Sequence, residues 1–344
     1  MRIEILNSFS ENKWLDFISS NRNSSIFHHP QWFKVLEKQY NFKPFVIACL
    51  NSNNEITAGM PFCAVKSIGW KVNWISLPFS DYCEPLFSDY EGVEYISEYL
   101  ISLQKNREIN SVEIRGGLVD GLPFAKKIGF IRHVIELPTT TQVIFEKFER
   151  TKKQQVRKAE KMGLTSIVEE SMESIDKFYY LHLQTRKKLG VPIQPKSFFE
   201  ILFKEIIETH LGFVILTYLG KEPIGAGIFM AYGNNLLYKY SAYAPNKVNF
   251  CPNHLTIWTA IKEGIRRRYK SLDFGRTEIE NQGLLKFKSG WATNETELPY
   301  YYYPQLNKSY KTNTIRKSFI SPIIKGSPAI LCRLVGEIAY KHFP

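Results

Sequence analysis

Two stretches 168 residues apart constrain the fold more than anything else in the chain: "FVIACLNSNNEITAGMPF" from Phe45 and "FVILTYLGKEPIGAGIFM" from Phe213. Each opens Phe-Val-Ile, places an Ile eleven residues on (Ile56, Ile224) and then reaches Ala-Gly (Ala58-Gly59, Ala226-Gly227) without a gap. Both read as strand, polar turn and second strand, with Asn53-Asn54 and Gly220-Lys221 at the turn. Each is followed by a helix and another strand, "EYISEYLISLQKNREINSVEIRGG" in the first half and "HLTIWTAIKEGIRRRYKSLDFGR" in the second. Val112, Ile114 and Leu272, Phe274 give those last strands an alternating apolar side. The expected fold class is α/β: two tandem domains of one topology with mixed central sheets flanked by helices, over 1–145 and 146–305. A tail over 306–344 carries an apolar helical stripe after Pro328 and reads as packing against the protein, with an interfacial helix as the alternative.

A chain of 344 residues that is 44% apolar has enough material for two cores. Its net charge of +12 favours a polyanionic partner: nucleic acid, an anionic membrane face or phosphorylated substrates. Part of that charge lies between the halves in "FEKFERTKKQQVRKAEKMG", a cationic helical pattern that Gly163 should end. It reads first as a solvated helix face and second as a polyanion-binding ridge. "DKFYYLHLQTRKKLG" reads as another helix, and a further one is expected from about Ser197 as its N-cap.

Five cysteines, with no CxxC pair, indicate neither a disulfide framework nor a cysteine zinc site. His28-His29 has no ligand partner at metal spacing and reads as the structural start of a helix, so no metal is expected. The opening residues lack the apolar core of a signal peptide, and no run of about 18 uncharged apolar residues occurs. A cytoplasmic protein is therefore expected, with the inner membrane face as a further location.

"LDFGRTEIENQGLLKFKSGW", residues 272–291, looks like a site. An apolar strand is expected to end at Gly275, followed by Arg276 and then by Lys286, Phe287, Lys288 and Trp291 around two glycines. Side chains at strand ends often carry function, although Arg276 has a structural alternative as a partner of Asp273 or Glu278. Lys286 and Lys288 share one face if the segment is extended. The run Arg266-Arg267-Arg268 ends a helix and reads as compensation of its macrodipole.

"FHHPQWFKVLEKQY", "LPFSDYCEPLFSDY", "TRKKLGVP", "NNLLYKYSAYAP" and finally "DFGRTEIENQGLLKFKSGW" occur in the order seen in the FemAB-like aminoacyl and acyl transferases, which include BioF2-like acetyltransferase domains. The last segment resembles that family's Gly-Leu-x-x-Phe-Lys-x-x-Phe/Trp-Gly signature, and the resemblance runs over nearly the whole chain. It implies two tandem domains of the GNAT acetyltransferase type and transfer of an aminoacyl or acyl group to an amine of a cell-envelope precursor, such as an amino sugar or a peptidoglycan-type peptide. Under it, Lys288 and Phe287 match residues at the acyl centre. Lys34, with Trp32 beneath it, and Arg186 match the side that meets an anionic acceptor. Tyr238 and Tyr240 fall on the strand lining the acceptor cleft. Asp89 and Tyr90 fall near a Gly-Pro-x-x-Asp-Tyr position that here reads "EPLFSDY", without the glycine and with one residue's difference in spacing. Arg276 and Lys286 complete the substrate-binding set.

The chemistry fits that set. When an amine attacks an ester or thioester carbonyl, a fixed ammonium such as Lys288 favours charge present only in the transition state. Asp89 or Glu278 is a candidate to take the proton, as are groups of the substrate. No tightly bound cofactor is expected. The donor is aminoacyl-tRNA or an acyl thioester of coenzyme A or acyl carrier protein. The turn "YAPNKVNFCPNHL" has none of the glycines with which GNAT enzymes hold a coenzyme A pyrophosphate, although Asn253 is a candidate helix cap there. Partners are thus a small or lipid-linked envelope precursor, with tRNA, acyl carrier protein and a peripheral membrane contact in view. The alternative from another class is a non-catalytic basic adaptor that uses a GNAT-like fold to hold RNA or a membrane.

Overall fold

The computed structural model describes residues 1–7, 12–66 and 71–305, together with Ile324 and Gly326, and it separates into two compact units. The expected tail helix over 306–344 lies outside the described residues apart from those two positions. Unit 1 comprises Met1–Ile131 with Arg276–Ile279 and the chain from Thr296; unit 2 comprises Arg132–Gly275 and Glu280–Glu295. The division therefore falls fourteen residues before the expected 145/146 boundary, and the second half of the sequence returns two segments to unit 1.

Unit 1 opens with β1 (Arg2–Leu6), α1 (Asn12–Ser20), α2 (Pro30–Tyr40), β2 (Pro44–Leu50) and β3 (Ile56–Lys66). It continues with β4 (Val72–Ile75), β5 (Leu86–Phe87), α3 (Tyr90–Lys105), β6 (Ser111–Arg115) and the start of β7 (Ala125–Glu136). Its strands run β1-β2-β3-β4-β6, with β5 beside β3. The β2–β3 pair is the expected antiparallel hairpin, turned at Asn54 in the left-handed region (φ 63°). One face carries Ile47, Met60 and Phe62 against Val93, Ile96 and Leu100 of α3, a core with no solvent contact at most positions. Burying each such side chain contributes about 1.5–3 kcal/mol.

Unit 2 takes the rest of β7, then α4 (Thr141–Lys147), α5 (Arg150–Lys161), β8 (Leu164–Glu169), α6 (Met172–Leu189) and α7 (Lys196–Leu202). There follow β9 (Gly212–Leu219), β10 (Glu222–Tyr232), β11 (Asn235–Tyr243), α8 (Pro252–Arg266), β12 (Ser271–Glu278), α9 (Gln282–Ser289) and β13 (Asn294–Tyr303). Its strands run β12-β11-β10-β9-β8. β7, β12 and β13 each contribute residues to both units.

The echo in sequence is an echo in structure. β9–β10 repeats the β2–β3 hairpin, turned at Gly220 (φ 61°). Gly59 and Gly227 have the same cause: a Cβ on Gly59 would stand 2.4 Å from the Trp14 ring, and one on Gly227 2.8 Å from the rings of Phe229 and Tyr238. In each unit two parallel strands after the hairpin pair at only three positions. β4 meets β6 from Asn73↔Ser111 to Ile75↔Glu113, and β11 meets β12 from Asn235↔Ser271 to Leu237↔Asp273. Beyond those points the strands part. Openings at the carboxyl ends of parallel strands are where α/β folds place ligands.

Several local expectations change. The cationic pattern between the halves is two helices, because Phe148 and Glu149 are extended and break α4 from α5. Met162 and the left-handed Gly163 (φ 78°) then end α5 as anticipated. α7 begins at Lys196 behind Pro195, which sets the entry without a side-chain cap, so Ser197 lies inside the helix. Cys251, in the left-handed region, precedes Pro252 at the start of α8, and Asn253 sits in the first turn instead of capping it. Arg266 and Arg267 bind Glu263, and Arg267 also reaches Glu170, so the end of α8 is held by ion pairs as well as by its dipole.

His28 shows how burial ties stability to pH. Its Nδ1 accepts from the Ser25 N–H at 3.0 Å, so its Nε2–H donates to the Glu84 carbonyl at 2.8 Å. Burial, opposed by those bonds, lowers its pKa from 6.5 to about 4, and burial beside Arg186 lowers that of His182 to about 3. The unfolded chain therefore binds protons that the folded chain refuses between pH 6.5 and 4. Stability present above 6.5 is lost as pH falls through that window, by about 3 kcal/mol for His28 alone. Thermal unfolding followed from pH 7 to pH 4 should show a falling midpoint that steepens below pH 6.5; a flat profile would contradict the buried neutral imidazoles.

Candidate functional site

The anticipated site residues divide between the units. Unit 2 holds Lys286, Phe287, Lys288, Arg186, Tyr238 and Tyr240; unit 1 holds Trp32, Lys34, Asp89, Tyr90 and Arg276.

In unit 2 the parting of β11 from β12 sets the geometry. β11 carries a bulge at Lys239, since Ile228 faces Tyr240 while Phe229 faces Tyr238. Tyr238 lies stacked on Phe229 at 4.6 Å, and Tyr240 stands edge-on to Phe198 and Phe199. Burial pushes the Tyr238 phenol up to about 12, against a hydrogen bond with the Ser241 side chain.

β12 does not end at Gly275 but runs on to Glu278, with Gly275 at φ 64°. The carbonyl of Phe274, one residue past the last β11–β12 pair, accepts from Lys288 Nζ at 2.7 Å. Beside it Asp273 is buried and takes Arg132 Nε at 2.6 Å and the Gly275 N–H at 2.7 Å. Arg132 is thus a partner of Asp273 that the sequence did not suggest. His133 lies fully buried next along β7, 3.4 Å from Ser289 Oγ and 3.6 Å from Glu295. Burial lowers its pKa, with Glu295 opposing and the Lys288 charge assisting.

The segment 282–289 is helical, which separates the two lysines. Two residues on a helix are about 200° apart, so Lys286 is exposed while Lys288 is buried. Asn281 caps α9 by accepting from the Leu284 N–H at 3.2 Å. Phe287 is held by Lys152 of α5, whose Nζ stands 4.6 Å from the ring centroid, and by the edge of His254 at 5.4 Å. Burial lowers the pKa of Lys152, against Glu149 and with Lys286. Burial, helped by Lys152, takes His254 to about 4. A Cβ on Gly290 would fall 2.3 Å from Lys152 Cε and 2.8 Å from Glu149 Oε2, so a larger residue there would displace the ends of those two side chains. Trp291 fills the space below, edge-on to Phe148 at 5.0 Å. The spacing of cations around an aromatic therefore has a packing explanation for Phe287, Gly290 and Trp291. Lys288 is a buried ammonium lodged where two strands separate. Arg186 donates twice to the Pro192 carbonyl, at 2.9 and 2.7 Å, and so shapes the connection after α6.

In unit 1, Trp32 is fully buried as core packing and donates to Ser80 Oγ at 2.9 Å. Lys34 is half-buried on α2, and its charge assists burial in lowering His29 to about 4. Asp89 is the N-cap of α3, accepting from the Gly92 N–H at 2.8 Å, and Tyr90 beside it is 63% exposed. Asp89→Ala should cost about 1 kcal/mol, read as a lower urea midpoint; no change would deny the cap. Arg276 is bound within unit 1, donating to Tyr300 Oη at 2.5 Å beside Asp81 and Phe130. Among the described residues no cluster of His, Cys, Asp and Glu fits a metal ion, and no helix is long and apolar enough to cross a membrane.

Sequence reasoning missed Asp273, Arg132, His133, Lys152 and His254. Asp273 stood inside the motif, read only as a partner for Arg276; the others carry no local signal, because sheet pairing and α5–α8 packing bring them in.

The parted parallel strands followed by a capped helix match a known class. Residues 146–289 match the family model described as an acetyltransferase (GNAT) domain, and the chain is an acyltransferase by that class. Over most of its length the fold is that of tandem GNAT proteins. FemX is 16% identical, with a TM-score of 0.71 over 88% of this chain and 97% of that one. L-PGS from Bacillus licheniformis is 13% identical, with a TM-score of 0.57 over 92% and 99%. A tandem GNAT protein from the clavulanic acid biosynthesis pathway is 7% identical, at 0.51 over 88% and 98%. None of the curated proteins compared matches the sequence.

Proposed function

We propose that this chain moves an aminoacyl or acyl group from an activated donor to an amine of a cell-envelope precursor, an amino sugar or a peptidoglycan-type peptide. The observation that carries the reading is Lys288: a buried ammonium, fixed on the Phe274 carbonyl at the opening of β11 and β12 in a GNAT domain. As the amine attacks, negative charge collects on the carbonyl oxygen of the donor. A cation already in place lowers that barrier by several kcal/mol, without reorganising at the moment of reaction. Phe287, held by Lys152 and His254, keeps α9 in register. Tyr238, Tyr240 and the exposed Lys286 serve the substrates in unit 2, and Lys34, Tyr90 and Arg276 serve the acceptor in unit 1, where Trp32 packs in the core and Asp89 caps α3. The likeness in fold to FemX and L-PGS supports an aminoacyl donor.

The start of α8 supports a donor other than free coenzyme A. Pro252 there lacks an N–H, and the His254 and Leu255 N–H groups are directed to the Cys251 carbonyl. The exposed cations of α5, Arg150, Arg157, Lys158 and Lys161, suit a polyanionic carrier such as tRNA or acyl carrier protein. The protein acts in the cytoplasm, at the inner membrane face when the acceptor is lipid-linked. Offering the purified chain aminoacyl-tRNA, acyl carrier protein thioester and acyl-coenzyme A with a pool of amino-sugar nucleotides tests the donor. Product is expected with one of the first two, and product from acyl-coenzyme A alone would reverse the donor assignment.

A further inference from the structure

The C-terminal half of α6 and the turn after β11 give unit 2 a surface of one sign. No Asp or Glu occurs over residues 177–199 or over 223–262, so neither segment carries a carboxylate of its own. The acids at their borders are already engaged: Asp176 and Glu200 with Lys196, Glu173 with Lys177, and Glu222 with Lys247. Lys187 and Lys188 are left with no ion pair and no side-chain hydrogen bond among the described residues. Cations at a helix C-terminus are ordinary. What stands among these two is not. Tyr180, Gln184, Lys187 and Lys188 fall at helical spacing on one face of α6, turned away from the buried Phe178, His182 and Thr185. The open groove beside them is lined by Gln184, Lys187 and Lys188 together with Pro245 and Asn246 of the 3-10 turn Pro245–Phe250, none of whose residues is buried. Residues three apart in such a turn eclipse each other, so Val248 falls on the same side as Pro245. Tyr180 is 60% exposed, Leu189 53% and Val248 49%.

Single apolar side chains scattered over a surface need no explanation. Two aliphatic side chains and a phenol set among unpaired lysines do. Apolar tips that enter the acyl boundary while cations meet headgroup phosphates make up a peripheral membrane surface, and tyrosine suits the headgroup level. A nucleic acid is met instead by aromatic rings that stack on bases along a basic groove, and Leu189 and Val248 offer a base no ring. We propose that this face of unit 2, formed by Tyr180, Gln184, Lys187, Lys188, Leu189 and Val248, docks the chain on an anionic lipid bilayer. The lysines meet the headgroups, and Leu189 and Val248 enter the interface between headgroups and acyl chains. The docking rests on the reading above only for the inner membrane face as the place of action, since none of these six residues serves the transfer.

Co-sedimentation of the full chain with large unilamellar vesicles tests the surface, comparing phosphatidylcholine alone with equal parts of phosphatidylcholine and phosphatidylglycerol. Binding is expected to the anionic vesicles only, and it should weaken as salt rises. Each lysine at such a surface contributes about fivefold to partitioning, so Lys187→Gln combined with Lys188→Gln should weaken binding by roughly twentyfold. Leu189→Ser combined with Val248→Ser should weaken it by at least about tenfold, through lost apolar burial. Lys158→Gln combined with Lys161→Gln, which removes the same charge from the exposed face of α5, should leave binding within about twofold of the unsubstituted chain. Far-ultraviolet circular dichroism and unfolding midpoints establish that each variant is folded. No binding to anionic vesicles, binding that either the Lys187/Lys188 pair or the aliphatic pair leaves unchanged, or an equal loss from the α5 pair would overturn the proposal. Weaker binding of an RNA oligonucleotide by the Lys187/Lys188 variant, with vesicle binding intact, would assign the face to nucleic acid instead. The vesicles carry neither donor nor acceptor, so the two claims fail separately. Transfer without vesicle binding removes the surface alone, and vesicle binding without transfer removes the reaction alone.

Discussion

Lys288→Ala should lower the rate of transfer by about a thousandfold, because removing one preformed donor to a developing oxyanion costs roughly 10²–10³ in rate and this one carries full charge. The same change strands the Phe274 carbonyl, which Lys288 holds at 2.7 Å, so a loss of about 1–3 kcal/mol in stability should accompany it. The two effects separate in Lys288→Met, which keeps the buried methylenes. Unfolding in urea should then recover in part, while single-turnover transfer stays near that of the alanine variant. Full activity in Lys288→Met would mean that the ammonium is only a structural strut.

Trp291→Ala should be the most damaging change to stability, at about 3–5 kcal/mol. The ring is 1% exposed and packs on Phe148 and beside His254, where no neighbour can collapse into the space without disturbing Phe287. A drop of roughly 10 °C in melting temperature follows, whereas Trp291→Phe should retain most of the stability. A loss below about 1 kcal/mol for the alanine variant would show that the site relaxes freely.

The architecture was largely readable because it is written twice. The Phe-Val-Ile to Ala-Gly echo marked both hairpins, and the helix and strand after each hairpin completed the repeated topology. Periodicity could not show that the chain re-enters unit 1 at Arg276 and again at Thr296, since that exchange is made by strand pairing far apart in sequence. The arrangement around the candidate site was readable in part. Lys288 and Phe287 stood out by spacing, but their supports, Lys152 and His254, come from α5 and α8, one read as a solvated face and the other as a plain helix. The alternation of Lys286 and Lys288 invited an extended reading, and the Asn281 cap makes it helical.

Mass spectrometry of nucleotide-linked and lipid-linked sugar precursors tests the central claim most directly, comparing cells that make the protein, cells that lack it and cells that make Lys288→Ala. A precursor heavier by one aminoacyl or acyl residue only with the unsubstituted protein is the expected result, and its mass names the group transferred. Identical precursor pools in all three would contradict transfer to the envelope and leave a basic, non-catalytic GNAT-like binding protein in its place.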